Sequence, residues 1–189
     1  MPERPVPVPA TRRLFFALWP DAGLANNLSE VATAAAEHFG GRPTRRETLH
    51  LTLAFLGDVA ETSLPDIIAA GHRVVAAPFS LTIDRLGYWP HNRLLWAGCA
   101  PLAGLEQLHG KLRLALAEAG LAPPGRQASF TPHLTLVRKL LADTPAEAVS
   151  CFPLGDLTEW HCASFRLVQS RLTASGSRYE TLAEFTLTV

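Results

Sequence analysis

The tetrapeptide His50-Leu51-Thr52-Leu53 returns, residue for residue, as His133-Leu134-Thr135-Leu136. A His-x-Thr triplet alone carries little information, but the composition of the chain predicts the full tetrapeptide only roughly 0.014 times. Two copies therefore point to a duplicated unit. Each copy alternates apolar and polar residues and reads as a strand, with Leu51, Leu53 and Phe55 toward the core and His50 and Thr52 together on the opposite face. The second copy repeats this, Leu134 and Leu136 inside and His133 and Thr135 outside. The expectation is two related lobes, each presenting one imidazole and one hydroxyl to a common cleft.

Outward from the first copy, Leu14-Phe15-Phe16-Ala17-Leu18-Trp19 reads as a buried strand halted by Pro20, and Asp21 caps a helix running to about Phe39, ended by Gly40-Gly41. Gly57-Asp58 closes the first motif strand, and a helix follows from about Ser63 to Ala76. Strands are expected over Phe79 to Leu86 and Leu94 to Cys99, joined by a Gly87–Asn92 loop. A helix at about Leu102 to Ala119 repeats Leu105, Leu108, Leu112 and Leu116 at helical spacing. After a loop over Pro123 to Ser129 and the second motif strand, His133 to Val137, strands at about Ser164 to Leu172 and Tyr179 to Val189 form a hairpin around Ser175-Gly176. Strands and helices mix without a βαβ rhythm. The expected fold is α+β and bilobal, two pseudo-symmetric lobes of mostly antiparallel sheet with helices on the outer faces and a central cleft. Residues 13–189 form a single bilobal domain in this reading, and residues 1–12, with Pro at 2, 5, 7 and 9, form a mobile tail.

The chain has 189 residues, 48% of them hydrophobic and 18% charged, which supports a buried core and excludes a disordered chain. Seventeen basic residues balance seventeen acidic ones, so bulk attraction to long nucleic acid or an anionic membrane is excluded, and an anionic ligand must be held by a local patch. Cys99, Cys151 and Cys162 suit neither a disulfide framework nor a tetrahedral zinc site, and imply a reducing, cytoplasmic compartment. No apolar run approaches the roughly 18 residues that span a bilayer. A monomer without membrane association is expected.

Two imidazoles titrating near ~6.5 can serve as one acid and one base at neutral pH. In-line displacement at phosphorus needs the base and the acid on opposite sides of the phosphate, and two facing lobes supply that. The threonine hydroxyls and nearby backbone N–H groups would hold the non-bridging oxygens as charge rearranges.

The chain resembles the two-histidine phosphoesterase superfamily, specifically its RNA 2′,3′-cyclic phosphodiesterase branch, also called 2′-5′ RNA ligase. The resemblance is carried by Arg13 to Ala17, Leu49 to Gly57, Gly87-Tyr88-Trp89-Pro90, Arg93-Leu94-Leu95-Trp96, Pro132 to Arg138, Ser170-Arg171-Leu172, Gly176, Tyr179 and Phe185. It implies hydrolysis of RNA 2′,3′-cyclic phosphate ends, tRNA fragments among the candidate substrates, to a 2′-phosphate without metal or cofactor. It also implies His50 as proton donor to the departing 3′ oxygen, His133 as proton acceptor from water, and Thr52 and Thr135 as phosphate ligands. A 5′-hydroxyl in place of water would give a 2′-5′ linkage. Two positions depart from the family pattern: Ala54, often basic, and Thr48, commonly Asn.

Further candidates surround the motifs. Arg42, Arg45 and Arg46 precede the first and could steer phosphates. Tyr88 and Trp89 offer aromatic surface for a base, and His91 and Arg93 share their loop. Arg138 falls on the core parity of its strand and reaches the phosphate only through a bulge or a strand end. His38, His72, His109 and His161 lack any partner spacing and read as structural or surface residues. Two other readings remain open from the residues: a non-catalytic module that grips an RNA end or nucleotide, and a metallohydrolase using His and Asp ligands.

Overall fold

The computed structural model describes residues 10–121, 130–155, 159–174 and 176–188. The chain runs β1 (Thr11–Leu18), α1 (Ala22–Phe39), β2 (Arg42–Pro43), β3 (Leu51–Ala60), α2 (Leu64–His72), β4 (Phe79–Thr82), β5 (Arg85–Trp89), β6 (Leu94–Gly98), α3 (Ala103–Glu118), β7 (His133–Arg138), α4 (Ala146–Ser150), β8 (Glu159–Cys162), β9 (Ser164–Thr173) and β10 (Gly176–Thr186). Short 3-10 turns precede β3 at Arg46–Thr48 and follow it at Glu61–Ser63.

The fold is α+β, and its strand pairings are antiparallel. The main sheet has the order β10-β9-β1-β3-β7-β6-β5, with β2 also paired to β7, and β4 and β8 form a separate two-stranded sheet. It divides naturally between β3 and β7, which share the Leu51↔Leu134 pair. One half carries the first motif on β3, the other the second on β7. The helices are exchanged between halves: α1 follows β1 but packs on β7 and β2, whereas α3 follows β6 but packs on β3. A contiguous apolar core consequently runs from Leu14 and Phe16 through Leu51 and Leu134 to Leu105 and Leu112. These helices cover the core face. The opposite face of β1 carries Phe15 and Ala17 against Val168, with Trp19 and Tyr179 packed beside them, and this is the face of the cleft.

Local sequence explains the main elements. Asp21 caps α1 by accepting a hydrogen bond from the Leu24 N–H at 2.9 Å. Leu105, Leu108, Leu112 and Leu116 are fully buried along α3, as their spacing predicts.

Several boundaries differ from the sequence expectation. β1 starts at Thr11, inside the tail expected over 1–12, because Thr11 and Arg12 pair with Ala60 and Val59 and Arg12 binds Glu61 and Gln169. Residues 1–9, the loop expected over Pro123 to Ser129, Ser175 and Val189 lie outside the described residues. β3 continues through Gly57-Asp58 to Ala60 because Gly57, at φ 73°, supplies an irregularity that the ladder absorbs. Register shifts against β1 flip the facing of β3, so Phe55, expected in the core, is 40% exposed on the cleft side while Ala54 and Leu56 turn inward. The strand expected from Phe79 to Leu86 is two strands in different sheets, and Gly87-Tyr88-Trp89, expected as loop, belongs to β5. α2 stops at His72, ahead of the β-branched Val74-Val75 and Pro78.

Candidate active site

His50 immediately precedes β3 and His133 opens β7. Both lie in the wall of a cavity of about 610 Å³ together with Thr52, Thr135 and Arg138. The antiparallel bridge at Leu51↔Leu134 sets His50 on the side of Thr135 and Thr52 on the side of His133. The expected gathering of two imidazoles and two hydroxyls at one cleft is therefore present.

Each ring is held the same way. His50 Nδ1–H donates to the Thr48 carbonyl at 2.7 Å, and His133 Nδ1–H donates to the Thr131 carbonyl at 2.9 Å. A carbonyl can only accept, so these bonds place the hydrogen on Nδ1 and leave Nε2 with its lone pair for chemistry. The 3-10 turn Arg46–Thr48 presents the first carbonyl, with buried Leu49 as its anchor. Only the backbone of Thr48 is used in this bond, so the departure noted at that position does not disturb it. The duplication in fact reaches two residues further upstream, to Thr48 and Thr131, a signal that was available in the sequence.

Aromatic rings fix both imidazoles laterally. Trp19 stacks on His50 at 5.1 Å and 15°, Phe15 lies at 4.9 Å, and Tyr179 meets it edge-on at 5.2 Å. His133 meets Trp89 at 4.6 Å and 72°. Burial weighs most on His50, whose pKa is pushed down to about 4, with the charges of Arg138 and His133 adding to the effect against the opposing Thr48 bond. His133 is lowered by burial and Arg138, opposed by its bond to Thr131. Both rings are thus neutral at pH 7 in the ligand-free protein. Protonation of one also discourages protonation of the other, so the pair takes up its protons one at a time as pH falls.

Arg138 reaches the cavity because the β6–β7 register shifts between Leu95 and Trp96, turning both Leu136 and Val137 inward and Arg138 out. Trp89 lines the cavity, whereas Tyr88, one residue earlier on β5, is half-buried, packs against the core and is not part of the cavity wall. His91 and Arg93 lie in the exposed turn after β5, and their neighbour Asn92 lines the cavity instead. Arg46 binds the Asn26 side chain away from the cavities, whereas Arg45 lines a second cavity beside the first. The sequence reading also missed Trp19 and Tyr179 as ring supports, and Arg13, whose guanidinium lies 4.8 Å over the Phe55 ring at the cavity edge. Among the described residues, no group of three or more His, Cys, Asp or Glu side chains is placed to hold a metal ion. His109 stacks on Phe130 at 3.9 Å, and His72 meets Phe185 at 4.9 Å, away from the cleft.

Comparison with known proteins joins this geometry to a family. The model of the 2′-5′ RNA ligase superfamily matches residues 20–173. A Thermus thermophilus protein named RNA 2′,3′-cyclic phosphodiesterase is 34% identical, covering 93% of this chain and 90% of its own. An Escherichia coli protein of the same name is 34% identical, covering 94% and 97%. The crystal structure of E. coli LigT complexed with 3′-AMP superposes with a TM-score of 0.78 at 30% identity over 95% of this chain and 100% of that one. A match that spans both motif strands, over relatives aligned almost end to end, leaves one assignment: the chain belongs to the 2′-5′ RNA ligase superfamily.

Proposed function

We propose that the protein hydrolyses RNA 2′,3′-cyclic phosphate ends to 2′-phosphates without a metal, using His50 as acid and His133 as base. The observation that supports this reading most is the matched pair of Nδ1–carbonyl bonds, which leaves both Nε2 atoms available on one cavity. The names of the relatives, which are RNA 2′,3′-cyclic phosphodiesterases, point the same way.

In this reading a bound cyclic phosphate brings negative charge beside Arg138 and offsets the charge that depresses both imidazoles, so one of them takes up a proton. His133 Nε2 removes a proton from water as the water oxygen bonds to phosphorus. The P–O3′ bond breaks in line, and His50 Nε2–H delivers its proton to O3′. The product carries a 2′-phosphate and a 3′-hydroxyl, and the pair ends with its proton on His133. Thr52 and Thr135 hold the non-bridging oxygens. With a 5′-hydroxyl as nucleophile, the same steps join two RNA ends through a 2′-5′ linkage. tRNA fragments are within the proposed substrate class, and the protein acts as a monomer.

The test is turnover of a 2′,3′-cyclic-phosphate oligonucleotide with and without EDTA and a 5′-hydroxyl acceptor, followed by phosphorus NMR of the products. A 2′-phosphate formed equally well in EDTA supports the reading. Full activity of the His50→Ala, His133→Ala double variant, or tight binding of a 2′-phosphorylated end with no turnover, would overturn it.

A further inference from the structure

A second cavity, of about 340 Å³, adjoins the first across His50, Thr135 and Arg138. Arg42, Arg45, Arg138 and Lys139 line it, and no carboxylate does. Arg45 is already engaged, its Nε 3.5 Å from Glu47 and its guanidinium donating to the Ser177 carbonyl at 2.6 Å. The other three are not: among the described residues, Arg42, Arg138 and Lys139 make no ion pair with a carboxylate.

Holding these cations together is unfavourable on two counts. Arg42 and Arg138 are directly opposed across the β2–β7 pair, a like-charge pairing that destabilises a sheet. Lys139 sits at φ 59°, a left-handed conformation that a residue with a side chain rarely keeps unless its surroundings enforce it. Facing it, Gly41 at φ 99° allows the two segments to approach, since a Cβ there would lie 2.7 Å from the Arg138 carbonyl. An anion in this cavity would relieve the repulsion.

The cavity has His50 in its wall but not His133. In the reaction proposed above, His50 serves the departing 3′ oxygen, so the ribose carrying the cyclic phosphate lies on this side of the phosphorus. The next anion along the same chain is the phosphate on the 5′ oxygen of that ribose. We propose that the second cavity is an anion subsite for this 5′-phosphate, formed by Arg42 and Lys139 with Arg138 shared between the two cavities. The inference rests on the reaction assigned above, and it makes the protein selective for RNA chain ends over cyclic mononucleosides that lack a 5′-phosphate.

The test compares adenosine 2′,3′-cyclic phosphate with its 5′-phosphorylated form as substrates, and adenosine 2′-monophosphate with adenosine 2′,5′-bisphosphate as calorimetric ligands. Arg42→Gln and Lys139→Gly are the variants, the latter at a position whose backbone glycine adopts without strain. The wild-type protein should favour the 5′-phosphorylated member of each pair, and each substitution should reduce that ratio roughly two- to fivefold. The binding pair needs no catalysis, so absent turnover would sink the reaction assignment while the binding ratio still decides the subsite. A ratio near one in the wild type, or one that neither substitution changes, overturns the inference. An effect confined to 2′-5′ joining would assign the cavity to the acceptor strand and overturn it equally.

Discussion

Leu51 and Leu134, the second residues of the two identical tetrapeptides, are directly opposed across β3 and β7 and are both fully buried. An antiparallel bridge between equivalent residues is a local two-fold, and it places the four polar motif groups around one point. The leucines therefore hold the geometry of the cleft as well as the core. Leu51→Ala or Leu134→Ala should each destabilise the fold by about 2–5 kcal/mol, with a coupling of about 0.5–3 kcal/mol in the double variant because the residues touch across the seam. Denaturant midpoints at constant m-value measure this, and strictly additive losses would contradict a shared seam.

The pH dependence should report the depressed imidazoles. In the proposed reaction the base must be neutral and the acid protonated, so kcat/KM should rise as pH falls until the base also takes a proton. Burial and Arg138 hold both free-enzyme values below 6.5, with His50 at about 4, so the kcat/KM maximum should lie below pH 6.5. A bound phosphate anion raises both values, which should move the kcat profile to higher pH than the kcat/KM profile. Coincident profiles centred above pH 7 would contradict this electrostatic account.

Removing either histidine should lower kcat by about 10²–10⁴, and removing both should cost little more than removing one, because the proposed reaction uses acid and base in a single step. Single-turnover rates on a cyclic-phosphate dinucleotide measure this. Independent, multiplicative losses would argue that the rings do not act together.

The repeated tetrapeptide made both the two-part sheet and the central residues of the site legible, because strand parity carries His50 with Thr52 and His133 with Thr135 to one face. The supports of those residues were hidden for identifiable reasons. Leu14 to Leu18 is apolar on both faces, so its pattern does not reveal that Phe15 and Ala17 face the cleft while Leu14 and Phe16 face the core. Phe55 was misassigned because register shifts against β1 reverse the alternation. Tyr179 reaches His50 only through the pairing of β10 with β9 and of β9 with β1, long-range contacts without a local signal.

Gly87 looked like a loop glycine and is a strand residue opposite Trp96. A Cβ there would lie 2.1 Å from the Trp96 ring. That ring packs on Trp89 at 5.5 Å, and Trp89 in turn meets His133 at 4.6 Å. Gly87→Ala should displace Trp96 and disturb His133 through Trp89, lowering kcat more than it raises KM, with a stability loss of about 1–3 kcal/mol from overpacking. Steady-state kinetics alongside thermal unfolding distinguish this from a loss of folded protein. Wild-type kcat in a destabilised variant would show that the aromatic chain does not position His133.

Trp19 should control the titration of His50. Its stacked ring removes the imidazole from water, and burial is the main reason the pKa falls to about 4. In Trp19→Ala the ring regains solvent, so the His50 pKa should rise toward 6.5, while His133, supported by Trp89 and Trp96, should titrate as before. Stability follows by linkage. Between pH 6.5 and about 4 the unfolded chain binds a proton that folded His50 refuses, so stability is lost as pH falls through this window, by at most about 3 kcal/mol. The variant should lose less over the same window. Imidazole NMR titration and denaturant unfolding at pH 7 and pH 5 read the two effects separately, and a His50 that still titrates near 4 without Trp19 would show that the stacking ring is not what keeps it neutral.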